Sequence, residues 1–336
     1  MEIEATGLNH EVWQSPSTIE NRLSSDGEKS KIHPPAAAVW IGALVLAIYL
    51  SLLPFVERTW RATGDEPHYL LAAHSLATDL DFDLANNYEQ LDFLNFYSSK
   101  DITPQIRLSP GGQQILDHQL GLPVIIAPAY AFAGRFGALV FQAVLGSLLA
   151  ALTFKLALLV SKDETASLLA TLFVTLSPPL LMYNYLVYPE LPGALLTTLV
   201  LYYAVSQSRA TPAAFVLTLF SLVTLPWLNR RFMPMTILLA LLLVWAWRKE
   251  EAWMVGGLEG WKLGRLTAKP RLLASSALLI LAAAVFSVAL LLWFDSRFTK
   301  VGELDITVPA TAFILWERVT RGLVGWLVDQ QRGLFI

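Results

Sequence analysis

The sequence predicts an all-α polytopic membrane protein with about seven transmembrane helices, one short membrane-surface helix and a long helical external loop after the first span. Three observations carry this expectation. Of the 336 residues, 55% are hydrophobic and only 15% charged, against roughly a quarter charged in soluble domains. The mean hydropathy is +0.51, so the chain cannot clothe itself in a wetted surface. The apolar residues also fall in blocks near or above the roughly 20 residues that span a hydrocarbon core.

Residues 1–35 are polar, close on His33-Pro34-Pro35, and read as a disordered cytoplasmic tail. The block at 36–56 is the first span. It is too long for a secretory signal and no small-residue cleavage site follows it, so it reads as an uncleaved anchor. Everything from 36 to 336 then belongs to one transmembrane domain.

The polar stretch from 57 to 118 is the most informative. Between Arg58 and His118 it holds nine acids against four Lys/Arg, and loops beyond about 15 residues are usually functional or disordered. Residues 68–76 have helical character and predict a helix lying along the membrane surface. A short block at 119–133 contains Pro123 and Pro128, and is expected to dip into the surface without crossing. Further spans are expected at 136–160, 164–186, 191–206, 212–228, 232–247 and 272–294.

Orientation follows from parity. The 248–271 loop carries Arg248, Lys249, Lys262, Arg265, Lys269 and Arg271, which makes it cytoplasmic by the positive-inside rule. Counting back, the 57–118 loop, Tyr188-Pro189-Glu190, Asn229-Arg230-Arg231 and the region 295–333 all lie outside. The last residues, Gly333-Leu334-Phe335-Ile336, open a new apolar run, so a chain truncated at its C-terminus is expected.

Composition excludes several classes. A net charge of −3 gives nucleic acid no basic surface to meet. Without cysteine there is no disulfide or thiolate chemistry. The five histidines show no helical metal-ligand spacing, and Asp79, Asp81 and Asp83 lack the glycine and distal glutamate of a calcium loop. No metal site is expected.

The strongest local signal is Gly64-Asp65-Glu66-Pro67-His68-Tyr69. It reads first as a helix start, with Asp65 at the N-cap, Glu66 near the positive dipole end and Pro67 in the first turn. An acidic pair early in a long external loop, directly after the first span, resembles the GT-C superfamily of integral-membrane glycosyltransferases. That group includes the protein O-mannosyltransferases and the aminoarabinose transferases acting on lipid A. The ordered set GDEPHYLLAAHSL (64–76), DLDFDLANNY (79–88), SPGG (109–112), DHQLGLP (117–123), YPELPG (188–193) and DQQRG (329–333) resembles bacterial members more closely.

The resemblance implies transfer of a sugar, with inversion, from a polyprenyl-phosphate donor to a hydroxyl on a glycan, lipid or protein acceptor. It also implies a bacterial plasma-membrane location, catalysis at the external face, and no cofactor. The family's catalytic acid maps onto Asp65, with Glu66 as the second member. A carboxylate within hydrogen-bond reach can take the proton of an attacking hydroxyl, while the departing phosphate needs cationic groups. Arg107, Arg230, Arg231 and Arg332 are candidates for that role, with interfacial snorkelling the alternative for Arg230 and Arg231. Glu190 reads either as part of an interfacial turn or as a holder of a sugar hydroxyl. His118 reads as a structural histidine or as a phosphate or sugar contact.

A transporter or flippase of a lipid-linked or polar solute is the competing class. It would place ionisable groups at the bilayer midplane, whereas the centres of the apolar blocks here carry none.

Overall fold

The computed structural model describes residues 34–206, 212–256 and 270–300. Residues 1–33 of the expected tail (1–35), residues 301–333 of the expected external region (295–333), and the end of the basic loop at 257–269 lie outside the described residues. Residues up to Phe298 form one unit; of a second, beginning at Thr299, the described part is a two-residue strand, Thr299–Lys300.

Helix α1 (Pro34–Thr59) is the first anchor. It turns Val45, Tyr49, Leu53 and Val56 inward at helical spacing and leaves Trp40, Leu44 and Phe55 exposed. A helix that buries one apolar face and exposes another has a lipid-facing surface. Exposed Leu169 and Phe173, Val216 and Phe220, and Val285 and Phe286 extend the pattern to later helices.

The polar loop folds into α2 (Glu66–Thr78), α3 (Ala85–Glu89), a 3-10 turn at Asp92–Asn95, and two short antiparallel strands, β1 (Ile106–Leu108) and β2 (Gln114–Leu116). The expectation of a surface-lying α2 is corrected. Glu66 to Ala73 and Ser75 are all buried, so the helix has no face left to rest on lipid and is packed into the protein against the next long helix. The hairpin also departs from a purely helical reading, because three-residue strands are too short for a period-2 signal.

Next come α4 (Gly121–Ser161), α5 (Glu164–Leu176), α6 (Leu180–Tyr183), α7 (Glu190–Val205), α8 (Pro212–Leu228), α9 (Met233–Gly256) and α10 (Pro270–Asp295). Among the described residues three helices are long and apolar enough to cross a membrane: Ala36–Thr59, Gly121–Ser161 and Leu278–Asp295. Glu164–Leu176, Glu190–Val205 and Pro212–Leu228 are apolar but shorter. The block expected to span at 164–186 is interrupted, since α5 stops where Ser177-Pro178-Pro179 removes two backbone donors. At 1.5 Å per residue, 13 residues reach about 20 Å of the roughly 30 Å core. The described chain is therefore a mostly helical membrane protein.

Helix α4 is not straight. Ala133 (φ −147°, ψ 28°) and Gly134 (φ 58°, ψ −144°) leave helical geometry, which separates the leg expected at 119–133 from the span expected at 136–160. The conformation of Gly134 is nearly glycine-only. Beyond it the chain turns so sharply that a Cβ on Gly137 would stand 2.0 Å from the Ala129 carbonyl oxygen. In an unbroken helix, residues eight apart are separated by about 12 Å along the axis.

Three apolar clusters hold the described helices, the smallest formed by Ala38, Ile41 and Phe154. The largest joins Tyr49 and Leu53 to Leu70, Leu71, Leu122, Ile126, Leu139 and Val187. The second joins Val200 and Tyr203 to Leu222, Leu225, Leu239, Leu243 and Ile280. Helix α5 buries the hydroxyl-bearing Ser167, Thr171 and Thr175. Thr171 and Thr175 each donate to the carbonyl four residues back at 2.7 Å.

Gly137→Ala is expected to cost about 1–3 kcal/mol, the usual penalty of overpacking, read as a lower unfolding midpoint in detergent micelles. Gly111→Ala, whose Cβ would meet only Ser109 Oγ at 3.7 Å, serves as the neutral control. An unshifted Gly137→Ala midpoint would show that the two legs do not touch there.

Candidate functional site

The chain leaves α1 and reaches Gly64 in the left-handed region at φ +59°. A side chain there would be strained, and its Cβ would lie 2.3 Å from the Tyr188 hydroxyl. That hydroxyl accepts from the Asp65 backbone N–H at 3.0 Å and donates to the Thr63 carbonyl at 2.9 Å. Asp65 stands at the N-cap of α2, as its sequence suggests, yet its side chain makes no capping hydrogen bond. The carboxylate is left for other partners.

Those partners come from the far end of the loop. Gln105 Nε2 donates to Asp65 Oδ1 at 3.4 Å, and His118 Nε2 stands 3.9 Å from Asp65 Oδ2. Gln105 Oε1 faces His118 Nε2. With the amide nitrogen turned to a carboxylate, its oxygen must meet a donor, so His118 carries its proton on Nε2. The β1–β2 register pairs Ile106 with Leu116, and the Asp117 N–H donates to the Gln105 carbonyl at 2.9 Å. The hairpin thus delivers Gln105 and His118 side by side. Asp65 remains 37% exposed, open to a ligand. Burial lowers the pKa of His118, opposed by Asp65 and Asp117 and reinforced by Arg230 and Arg231.

Glu66 goes elsewhere. It is fully buried, and Arg135 Nε donates to its Oε1 at 3.1 Å. Arg135 Nη1 also donates to Glu57 Oε2 at 2.8 Å and to the Trp60 carbonyl at 3.0 Å. Burial pushes the Glu66 carboxyl up, and Arg135 draws it back. Adjacent in sequence, Asp65 and Glu66 are therefore split between an open site and a closed ion pair.

A third wall comes from the start of α7 and the turn after α8. Glu190 opens α7, just before the apolar run, and its Oε2 is buried with no hydrogen-bond partner among the described residues. Burial raises the Glu190 pKa, Arg231 lowers it and Asp65 raises it further, so these three charges lie within electrostatic range. Tyr69 lies among the same groups, with its ring 5.1 Å from His118 and 6.3 Å from Tyr188. Arg231 is exposed and has no ion-pair partner among the described residues, while its N–H donates to Asn229 Oδ1 at 3.0 Å.

Of the sequence candidates, Asp65, His118, Glu190 and Arg231 come together. Arg230 sits at the edge, with its guanidinium donating to the Asp117 carbonyl at 3.1 Å and its N–H to Gln119 Oε1 at 3.0 Å. Arg107 is buried, paired with Asp295 and held over the Phe294 and Phe298 rings. Gln119 Nε2 also donates to Asp295 at 3.4 Å. Arg332 lies outside the described residues. Asp79, Asp81 and Asp83 serve local structure: Asp79 Oδ2 accepts from Asn86 and Asn87, Asp81 Oδ1 from Ser75, and Asp83 Oδ1 from the Gln114 N–H. Among the described residues no group of three or more acids and histidines converges as a metal site.

Sequence reasoning missed Arg135, Gln105, Tyr69 and Tyr188. Arg135 carried a signal, being the one cation between the blocks at 119–133 and 136–160. Gln105 carried none, because a lone amide in a polar loop is unremarkable.

Comparison with family models, with curated proteins and with solved structures finds no match to this chain.

Two outcomes are expected. Arg135→Met leaves Glu66 buried without its partner and should cost about 3–5 kcal/mol, recovered in part by Arg135→Met with Glu66→Gln, as read by chemical unfolding in micelles. Beside the site, burial pushes His68 down to about 4, and its Nδ1 lies 2.9 Å from the Tyr88 hydroxyl. The unfolded chain binds this proton near 6.5, more tightly than the folded one. The contribution is therefore complete above pH 6.5 and drains away as pH falls toward 4, by about 3 kcal/mol. Melting wild type and His68→Gln side by side from pH 7.5 to 4 isolates it. Parallel curves would refute the assignment.

Proposed function

We propose that the protein is a GT-C-type membrane glycosyltransferase, moving a sugar from a polyprenyl-phosphate donor to an acceptor hydroxyl at the external face of a bacterial plasma membrane. The observation that carries this reading is the state of Asp65. It is anchored through its backbone by Tyr188, its side chain is free of capping duty, and it is aligned by Gln105 and His118 while still exposed.

Chemically, the acceptor oxygen attacks the anomeric carbon as Asp65 takes its proton, a carbon–oxygen bond forms, and the bond to the donor phosphate breaks with inversion. The leaving phosphate gains charge, which Arg231, and Arg230 at the edge, are placed to receive. Glu190 is suited to a sugar hydroxyl, since its buried Oε2 meets no donor among the described residues. Glu66 acts in this reading as an anchor for the start of α2, in place of the supporting acid that the resemblance implies. The chemistry needs neither metal nor cofactor.

In the same reading α1, the second leg of α4, α5, α7, α8, α9 and α10 make the seven crossings. The first leg of α4 lies at the surface, and the shorter helices are helped across by adjoining irregular segments. Residues 57–118, Glu190 and Arg230–Arg231 share the external side. The meeting of Asp65, His118, Glu190 and Arg231 supports that parity, since groups on opposite faces of a bilayer could not meet.

In proteoliposomes supplied with polyprenyl-phosphate sugars, Asp65→Asn is expected to lower kcat by about 10²–10⁴-fold, the usual worth of a general base. Full transfer by Asp65→Asn would remove Asp65 from catalysis. No transfer by wild type from any such donor would remove the function itself.

A further inference from the structure

Gln142 lies on the second leg of α4, fully buried, in a helix apolar enough to cross a membrane. An amide is costly in such a place unless its hydrogen bonds are made. Its Nε2 donates to two backbone carbonyls, Leu186 at 2.9 Å and Tyr188 at 3.2 Å. These lie on the non-helical stretch between α6 and α7, whose backbone has no helical ladder of its own and needs side-chain donors. Both protons of one amide nitrogen are thereby used. The orientation is fixed as well, because a flipped amide would set Oε1 against two carbonyl oxygens.

The stretch that Gln142 holds ends in Tyr188. The Tyr188 hydroxyl is the group that accepts from the Asp65 N–H and donates to the Thr63 carbonyl, on either side of Gly64. The Tyr185 hydroxyl ties the same stretch to α1 by donating to the Tyr49 carbonyl at 3.1 Å. An unbroken chain of hydrogen bonds and covalent bonds therefore runs from Gln142, inside the apolar helices, to the backbone of Asp65.

We infer that Gln142 is a positioning residue, which sets Asp65 by holding the carbonyls on either side of Val187 and so fixing where the Tyr188 hydroxyl stands. Its effect on turnover rests on the proposed transferase reading; its effect on the Asp65 backbone does not. Gln142→Leu keeps the volume and removes both donors. Tyr188→Phe removes the hydroxyl and nothing else.

Hydrogen exchange of the full chain in micelles tests the structural half. In both variants the Asp65 amide is expected to exchange about tenfold faster, the worth of one net hydrogen bond, while peptides from α8 keep wild-type rates. Transfer from a polyprenyl-phosphate sugar tests the rest. Each variant is expected to lose up to about 10²-fold in kcat with KM little changed, as small misplacements of a catalytic group do, and the double variant should lose no more than either alone. Wild-type exchange at Asp65 in Gln142→Leu would overturn the inference. So would faster exchange spread evenly over all helices, or additive losses in the double variant. Local loss of protection in a protein that transfers no sugar would leave the positioning intact and reject the transferase reading instead.

Discussion

The ion pair between Arg135 and Glu66 is the constraint on which the site depends. Arg135 follows the break in α4, Glu66 opens α2, and the same guanidinium also takes Glu57 and the Trp60 carbonyl at the end of α1. Three segments are pinned at one point. Because Glu66 is fully buried, the pair cannot trade its partner for water, and moving either member would strand a charge in an apolar setting. Its value lies in geometry, since burying two charges gains little net stability. With Glu66 fixed, Asp65 one residue earlier has nowhere to go but the exposed side of the helix start.

A second constraint is the backbone between α5 and α7. It is irregular, it packs beside apolar helices, and its carbonyls must be met from the side. Tyr49 donates to the Thr175 carbonyl, Tyr185 to the Tyr49 carbonyl, and Gln142 to those of Leu186 and Tyr188. Close approach makes this possible: a Cβ on Gly146 would meet Asn184 Oδ1 at 2.5 Å and the Tyr49 ring at 2.8 Å. These polar groups are scaffolding for a segment that carries Tyr188 and leads directly into Glu190.

Elements governed by local chemistry were legible in the sequence. The first anchor, the start of α2 at Asp65-Glu66-Pro67, the interruption between 133 and 136, and the limits of α7, α8 and α10 all follow from apolar run length, caps, proline and glycine. The interruption of 164–186 was written in Ser177-Pro178-Pro179 but was outweighed by the hydropathy of the whole block. Burial of α2 was not legible, because a mostly apolar helix looks alike whether protein or lipid covers it. Nor were the partners of Glu66 and Asp65, which lie 69 and 40 residues away; no periodicity specifies such pairings. Arg107 shows the limit from the other side. Its charge and its place in the loop suggested an anion contact, and it is instead buried against Asp295 and two phenylalanine rings.

Two neighbouring carboxylates could act as a pair only if both faced one cavity, and successive residues at a helix start do not. Residues one apart point about 100° away from each other around the axis, so the two carboxylates cannot aim at one point. Glu66, inside the helix, takes the core direction and finds a cation there. Asp65, at the cap, takes the outward one and finds an amide, an imidazole and open space. A fixed acid beside a free one holds the helix start steady: Glu66 is immobilised by Arg135, so Asp65 need not bind anything tightly to keep its place. Such an Asp65 is pre-oriented through its backbone and left accessible at its oxygens, which is the arrangement that a group required to take up a proton, and then release it, must have.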